Sequence, residues 1–218
     1  MLNMPAFCQY DTTWKDKVMT PGSWTLGRMG CLVTALASGI HNYAIELNPG
    51  QLCDKLVTAG AFMPSSDLTW SGFERAFPRF KVVERDDTTA NTFHDANPVV
   101  VTEAVARVRR CVRRGQVVVM NVDNVGNDGV ADHWVLLVND QMDIMNPDGG
   151  RVEPFSLKYG DSLKGLKGFA VVAGTPGWFL DGVEKNEQDI GVVIGKLCSS
   201  PNRSSDLMVK ESIESLTR

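Results

Sequence analysis

The sequence predicts an α+β domain over residues 1–177, followed by a polar extension over 178–218. Two observations carry the fold class. Apolar residues recur at helical spacing through most of the first half, while short strand-forming runs separated by turn residues fill most of the second. A third observation sets the boundary: beyond Gly177 the chain turns polar, with Ser199-Ser200-Pro201-Asn202-Arg203-Ser204-Ser205 reading as a linker and Asp206 to Leu216 as a short helix. With 218 residues, 43% of them hydrophobic and 22% charged, the chain is long enough to bury a substantial core.

The first helix is expected from Cys31 to about Tyr43, because Leu32, Ala35, Leu36 and Ile40 share one face and His41-Asn42 closes it. His41 is read as a C-terminal helix residue near backbone carbonyls. A second helix starts with Asn48 as N-cap and Pro49 at the first helical position, buries Leu52, Cys53 and Leu56, and stops at Gly60. Asp67 or Thr69 starts a third, through Trp70, Phe73 and Phe77, ended by Pro78. Phe80 to Glu84 reads as a strand. Asp86 to Pro98 reads as a loop in which His94 is a surface residue.

Val101, Val105, Val108 and Val112 make one stripe of an amphipathic helix over 101–114, which Gly115 ends. Its other face carries Arg107, Arg109, Arg110, Arg113 and Arg114, a solvated face that could contact an anionic polymer. Gln116 to Val122 is apolar enough for a central strand. Residues 123–132 form a polar loop, His133 to Val138 the next strand, and Asn139-Asp140 a turn into Met142 to Met145. Asn146-Pro147-Asp148-Gly149-Gly150 is the following turn, and Phe169 to Ala173 a further strand. Hairpin pairing of the two middle strands brings His133 and Asn146 to the same end of the sheet.

Cys31 is the residue with the most chemistry to offer. A lone cysteine opening an apolar run is ordinarily core packing, yet of the five cysteines this one alone follows a glycine at a helix start. A helix N-terminus favours the thiolate and is expected to lower the thiol pKa, and Gly30 allows the tight turn into it. His133, alone of the three histidines, opens a strand-like run and could take the thiol proton. Gln9 lies upstream as a donor for an oxyanion, and a further polar side chain would orient the imidazole.

The segments Gln9-Tyr10-Asp11-Thr12-Thr13-Trp14 and Thr25-Leu26-Gly27-Arg28-Met29-Gly30-Cys31-Leu32-Val33-Thr34-Ala35-Leu36-Ala37 resemble the opening of the papain-like cysteine peptidases related to bacteriocin leader (double-glycine) peptidases. The resemblance continues through Asn48-Pro49-Gly50-Gln51-Leu52, Leu68-Thr69-Trp70, His133-Trp134-Val135-Leu136-Leu137-Val138 and Asn146-Pro147-Asp148-Gly149-Gly150, covering roughly residues 7 to 173. It implies a papain-like fold with the nucleophile helix packed on an antiparallel sheet that carries the histidine. It further implies Cys31 as nucleophile, His133 as general base and acid, Asn146 as the orienting residue and Gln9 as oxyanion donor. Relatives usually place aspartate before the proline, whereas papain uses asparagine in the equivalent role, so Asn146 is compatible with catalysis but lacks a charge that would stabilise the imidazolium. Asp132 and Asp148 are nearby alternatives, although Asp132 adjoins His133 on a strand and should face the other way.

The activity so implied is hydrolysis of a peptide bond, in a peptidoglycan cross-link or a protein precursor, with no metal or organic cofactor. Freestanding relatives in bacteriophage lysins and virions suggest a cell-wall peptide as substrate. The alternative is a structural or virion-assembly protein that keeps the peptidase fold and docks a protein partner through the extension. Nucleic-acid binding by the arginine helix is disfavoured, since no aromatic residues interleave the cluster and the net charge is −4. No apolar run reaches membrane-spanning length. The N-terminus lacks the charged and apolar regions of a signal peptide, which points to cytoplasmic synthesis followed by incorporation in a virion or release. An odd number of irregularly spaced cysteines argues against a disulfide framework and against a zinc cage.

Overall fold

A computed structural model of the protein describes residues 4–86, 98–124, 132–160 and 165–174. The chain divides into two units, Met1–Thr175 and Pro176–Arg218, and every described residue lies in the first. The expectations for His94, most of the 86–98 loop, residues 125–131 and the C-terminal extension fall outside the described residues.

The described residues form a mixed α+β fold of six α-helices and one antiparallel sheet of six strands. Helices α1 (Leu26–Met29), α2 (Cys31–Ile40), α3 (Pro49–Thr58) and α4 (Trp70–Ala76) precede strand β1 (Phe80–Asp86). Helix α5 (Pro98–Arg113) leads into β2 (Val117–Val122), β3 (His133–Leu137), β4 (Asp143–Asn146) and β5 (Arg151–Pro154), and α6 (Phe155–Tyr159) precedes β6 (Leu166–Gly174). The strand order is β1-β6-β2-β3-β4-β5, so the last described strand inserts between the first and second. Short β5, α1 and α6 go beyond the sequence expectation.

Local chemistry explains the boundaries. Asn48 and Gln51 form a reciprocal capping box in which the Asn48 side chain accepts from the Gln51 N–H and the Gln51 side chain accepts from the Asn48 N–H. Thr69 accepts from the Gly72 N–H and so settles which of two candidates starts α4. Beyond Ile40, α2 tightens into a 3-10 turn over His41–Tyr43, where His41 Nε2 lies 3.4 Å from the Leu47 carbonyl oxygen. Met142, with φ at 71°, belongs to the turn, so β4 begins one residue later than expected.

Both faces of the sheet are covered, which is why β2 and β6 are apolar almost throughout. Val117, Val119, Leu136, Met145, Ala170 and Val172 pack with α2, α3 and α4. Their strand neighbours Val118, Met120, Val135, Ile144, Phe169 and Val171 join Val105 and Val108 of α5 and Phe155 of α6 in a second core. Helix α2 lies close on the sheet: a Cβ on Gly39 would stand 2.5 Å from Val117 Cγ1. The arginine face of α5 includes a built ion pair, with Arg107 bonded to Glu84 at 2.5 Å and its guanidinium over the Phe169 ring. No described helix is long and apolar enough to cross a membrane.

Candidate active site

Cys31 is the first residue of α2, and the first intrahelical bond runs from the Thr34 N–H to the Gly30 carbonyl at 2.9 Å. The N–H groups of Cys31 and Leu32 therefore have no helical acceptor and face the sulfur, as does the N–H of Trp134 on β3. Gly30 is needed for space rather than for a left-handed backbone. Its φ is −88°, and a Cβ would stand 2.4 Å from the Leu26 carbonyl oxygen and 2.7 Å from its Cα. That contact lets α1 and α2 meet at one residue and sets where the thiol is placed.

The expectation of a lowered thiol pKa is overturned. Burial of the site pushes the Cys31 thiol up to about 11, more than the three N–H groups can offset, and the charge of Asp132 adds to the rise. His133 moves the other way: burial lowers its pKa, only partly countered by its bond to Asn146. Both shifts favour the uncharged forms of the two side chains.

His133 and Asn146 are buried and directly bonded, with Nε2–H donating to Oδ1 at 2.9 Å. The same Oδ1 accepts from the Asp148 N–H at 3.1 Å, and Asn146 Nδ2 donates to Glu153 Oε1 at 2.9 Å. Glu153 in turn accepts from Arg151 Nε at 2.7 Å. Burial alone would raise the Glu153 carboxyl, yet the bonds from Asn146 and Arg151, with the Arg151 and Lys158 charges, hold it below the usual carboxylate range. The chain Arg151, Glu153, Asn146, His133 thus ends on the imidazole with every amide and carboxylate contact satisfied by an opposite group.

Gln9 is buried, and its backbone N–H donates to the Pro147 carbonyl at 2.9 Å. Its side-chain Nε2 donates to the Gly27 carbonyl at 3.2 Å, which leaves a second N–H on that nitrogen. Its Oε1 is buried without a hydrogen-bond partner. The four expected residues therefore converge on one end of the sheet, with His133 joined to Asn146, Gln9 to the turn after Asn146, and Cys31 set against the first residues of β3. Among the described residues, no hydrogen bond links the thiol to His133. Asp132 and Asp148 do not orient the ring: Asp132 accepts from the Asn124 N–H at 2.7 Å, and Asp148 from Lys158 Nζ at 3.0 Å.

A cavity of about 180 Å³ opens beside Cys31, walled by Met19, Leu32, Phe62, Leu68 and Trp134, with Asp132 among its polar groups. It offers room for a side chain next to the sulfur. The chain matches no family model, no curated protein and no solved structure.

Glu153 and Arg151 are the site residues the sequence reading missed. The signal was present in the spacing. If Asn146 to Gly150 is read as a turn between paired strands, Asn146 faces Arg151, and residues two apart share a face, which brings Glu153 to the side of Asn146. The polar run Arg151-Val152-Glu153-Pro154 does not look like a strand because its one buried residue is the charged Glu153, while Arg151, Val152 and Pro154 are exposed.

Proposed function

We propose that this chain is a cysteine peptidase or amidase of papain-like fold that hydrolyses a peptide bond, in a peptidoglycan cross-link or a protein precursor. The observation that carries the reading is the buried bond from His133 Nε2–H to Asn146 Oδ1. It leaves Nδ1 as the ring nitrogen with a free lone pair, which is what a thiol's general base requires.

In the proposed reaction, the Cys31 thiol gives its proton to His133 Nδ1, and the sulfur attacks the carbonyl carbon of the substrate. The carbon–oxygen π bond opens to an oxyanion, which accepts hydrogen bonds from the Cys31 N–H and from the spare N–H of Gln9 Nε2. Collapse re-forms the carbonyl and breaks the carbon–nitrogen bond, the imidazolium protonates the departing amine, and a thioester remains on Cys31. Water then gives one proton to His133 and attacks the thioester, so that the acid leaves and the proton returns to sulfur.

The resting pKa order bears on how this starts. With the thiol near 11 and the imidazole below 6.5, moving the proton costs about 6 kcal/mol or more before the ions attract each other. Even at about 4 Å, attraction between two unit charges in a protein returns only about 4 kcal/mol. The charged pair is therefore a minor species until substrate is bound, and proton transfer accompanies attack.

The test uses purified peptidoglycan and a peptidyl acyloxymethyl ketone, read by release of new amino groups and by intact-mass spectrometry. The wild type should release amines and carry a covalent adduct on Cys31, and Cys31→Ala and His133→Ala should do neither. Absence of both amine release and adduct in the wild type overturns the reading.

A further inference from the structure

The orienting amide of Asn146 is itself oriented. Its oxygen accepts from the His133 ring and from the Asp148 backbone, and its nitrogen donates to a carboxylate that is 6% exposed and ionised. We infer that Glu153 is a positioning residue and that it makes asparagine the side chain required at position 146. Its carboxylate holds the Asn146 amide with Oδ1 toward the imidazole, which keeps the His133 proton on Nε2 and leaves Nδ1 unprotonated.

The reason is the donor and acceptor inventory of the chain. A carboxylate only accepts, so the group facing Glu153 Oε1 must donate, and the amide must then present its oxygen to the ring. That oxygen accepts only from an N–H, which puts the ring proton on Nε2. Arg151 anchors the far end: it bonds Glu153 Oε2 and faces Asn146 in the strand register, so Glu153 cannot turn away without breaking that contact as well. Aspartate at position 146 would place a second carboxylate oxygen where Nδ2 now stands, 2.9 Å from Glu153 Oε1. Two like charges at that distance cannot both persist in a buried site, and one would have to take up a proton. Glutamine at position 153 would serve either partner, accepting from the Asn146 amide through its oxygen or donating to a carboxylate at position 146 through its nitrogen.

The other charged groups around the imidazole do not impose this order. Asp132 and Asp148 favour its protonation and Lys158 opposes it, but none of the three touches the Asn146 nitrogen. The inference rests on the peptidase reading for the use made of the free Nδ1, and not for the arrangement itself.

The experiment is nitrogen NMR of histidine-labelled full-length protein, with the His133 signals assigned by their loss in His133→Gln, together with thermal unfolding of the variants between pH 4 and pH 7. The wild type should show the Nε2–H tautomer alone, and Glu153→Leu should show a mixture of both tautomers. Asn146→Asp should lose about 5–10 °C in Tm at pH 7, with the loss shrinking toward pH 4 as one carboxyl is protonated. The double variant Asn146→Asp/Glu153→Gln should recover most of that loss at pH 7. An unchanged tautomer in Glu153→Leu overturns the inference, as does an Asn146→Asp protein as stable at pH 7 as the double variant. Should Glu153→Leu fail to fold, the comparison of Asn146→Asp with the double variant decides alone. Neither readout needs hydrolysis, so an inactive protein with these signatures keeps the positioning role and refutes the peptidase reading, while an active one without them does the reverse.

Discussion

The backbone N–H of Gln9 donates to the carbonyl of Pro147 at 2.9 Å, tying the N-terminal segment to the turn that follows Asn146. Two residues 138 positions apart in sequence are thereby held in register, and with them the expected oxyanion donor and the amide of Asn146. The turn passes close beneath the segment because Gly150 has no side chain. Its φ is +59°, and a Cβ there would stand 2.8 Å from Cys8 Cβ.

Gly150→Ala should therefore carry both a backbone and a steric cost. The left-handed conformation alone costs about 1–2 kcal/mol for a residue with a Cβ. Calorimetry should show a lower Tm, and any hydrolytic rate should fall further than stability explains because Gln9 is displaced. An unchanged Tm would mean that the turn relaxes freely and does not hold the N-terminal segment.

Gly30→Ala tests whether spacing between α1 and α2 sets the position of the Cys31 thiol. The added methyl meets the backbone of Leu26, which cannot swing aside as a flexible side chain would. Overpacking of this kind costs about 1–3 kcal/mol. Adduct formation at Cys31 with a peptidyl ketone should drop by at least about tenfold, the rate cost of about 1.4 kcal/mol in a barrier. Wild-type labelling in a protein of reduced Tm would show that the helix start tolerates the shift.

The pH dependence of Cys31 alkylation follows from its raised pKa. With the thiol near 11 in the resting protein, iodoacetamide labelling should climb by about tenfold per pH unit from pH 7 to pH 10, tracking the thiolate fraction. Peptide mapping by mass spectrometry reports the rate at this cysteine separately from Cys8, Cys53 and Cys111. A plateau reached below pH 8 would show a preformed thiolate and contradict the neutral pair.

Stability should respond to His133 in a defined window. Burial lowers its folded pKa below the ordinary value of 6.5, which the unfolded chain keeps, so on acidification the unfolded state takes up the proton first. Stability is then greatest above pH 6.5, falls as the pH drops from there toward the folded value, and loses nothing further from this group below it. The Tm of the wild type should decline through that window more steeply than that of His133→Gln. Asp148 and Glu153, both held below their ordinary carboxyl values of 3.8 and 4.5, lose their contributions only at lower pH, which separates the two effects. Equal slopes in both proteins above pH 5 would show that His133 does not titrate as a buried group.

Much of this protein was legible in its sequence because the signals are local. Asn48 before Pro49 is a helix start in any context, since the cap bonds form within four residues. The valine stripe of α5 is likewise written in spacing alone, as is the alternation along β2 that sends Val117 and Val119 to one core and Val118 and Met120 to the other. Cys31 at a helix start, His133 at a strand start and Asn146 at a strand end could be placed because each marks a boundary. The meeting of His133 and Asn146 at one end of the sheet follows from a single hairpin, whereas Cys31 reaches it only through the packing of α2 against β3.

Tertiary structure decided what depends on several elements at once. The order β1-β6-β2 brings the last described strand into the middle, and no local pattern encodes which strand the segment 166–174 joins. The thiol pKa is likewise not a property of the helix start. The dipole and the N–H groups of Cys31 and Leu32 are local and favour the thiolate, whereas the Trp134 N–H and the desolvation both come from packing against distant residues, and desolvation is the larger effect here. Glu153 was hidden for the same reason: a glutamate in a short polar run is ordinarily solvated, and only the pairing of β4 with β5 turns it inward against an amide that needs an acceptor. Sequence determined which chemistry the residues could perform, and the fold decided their protonation and orientation, because those depend on what surrounds a group in space.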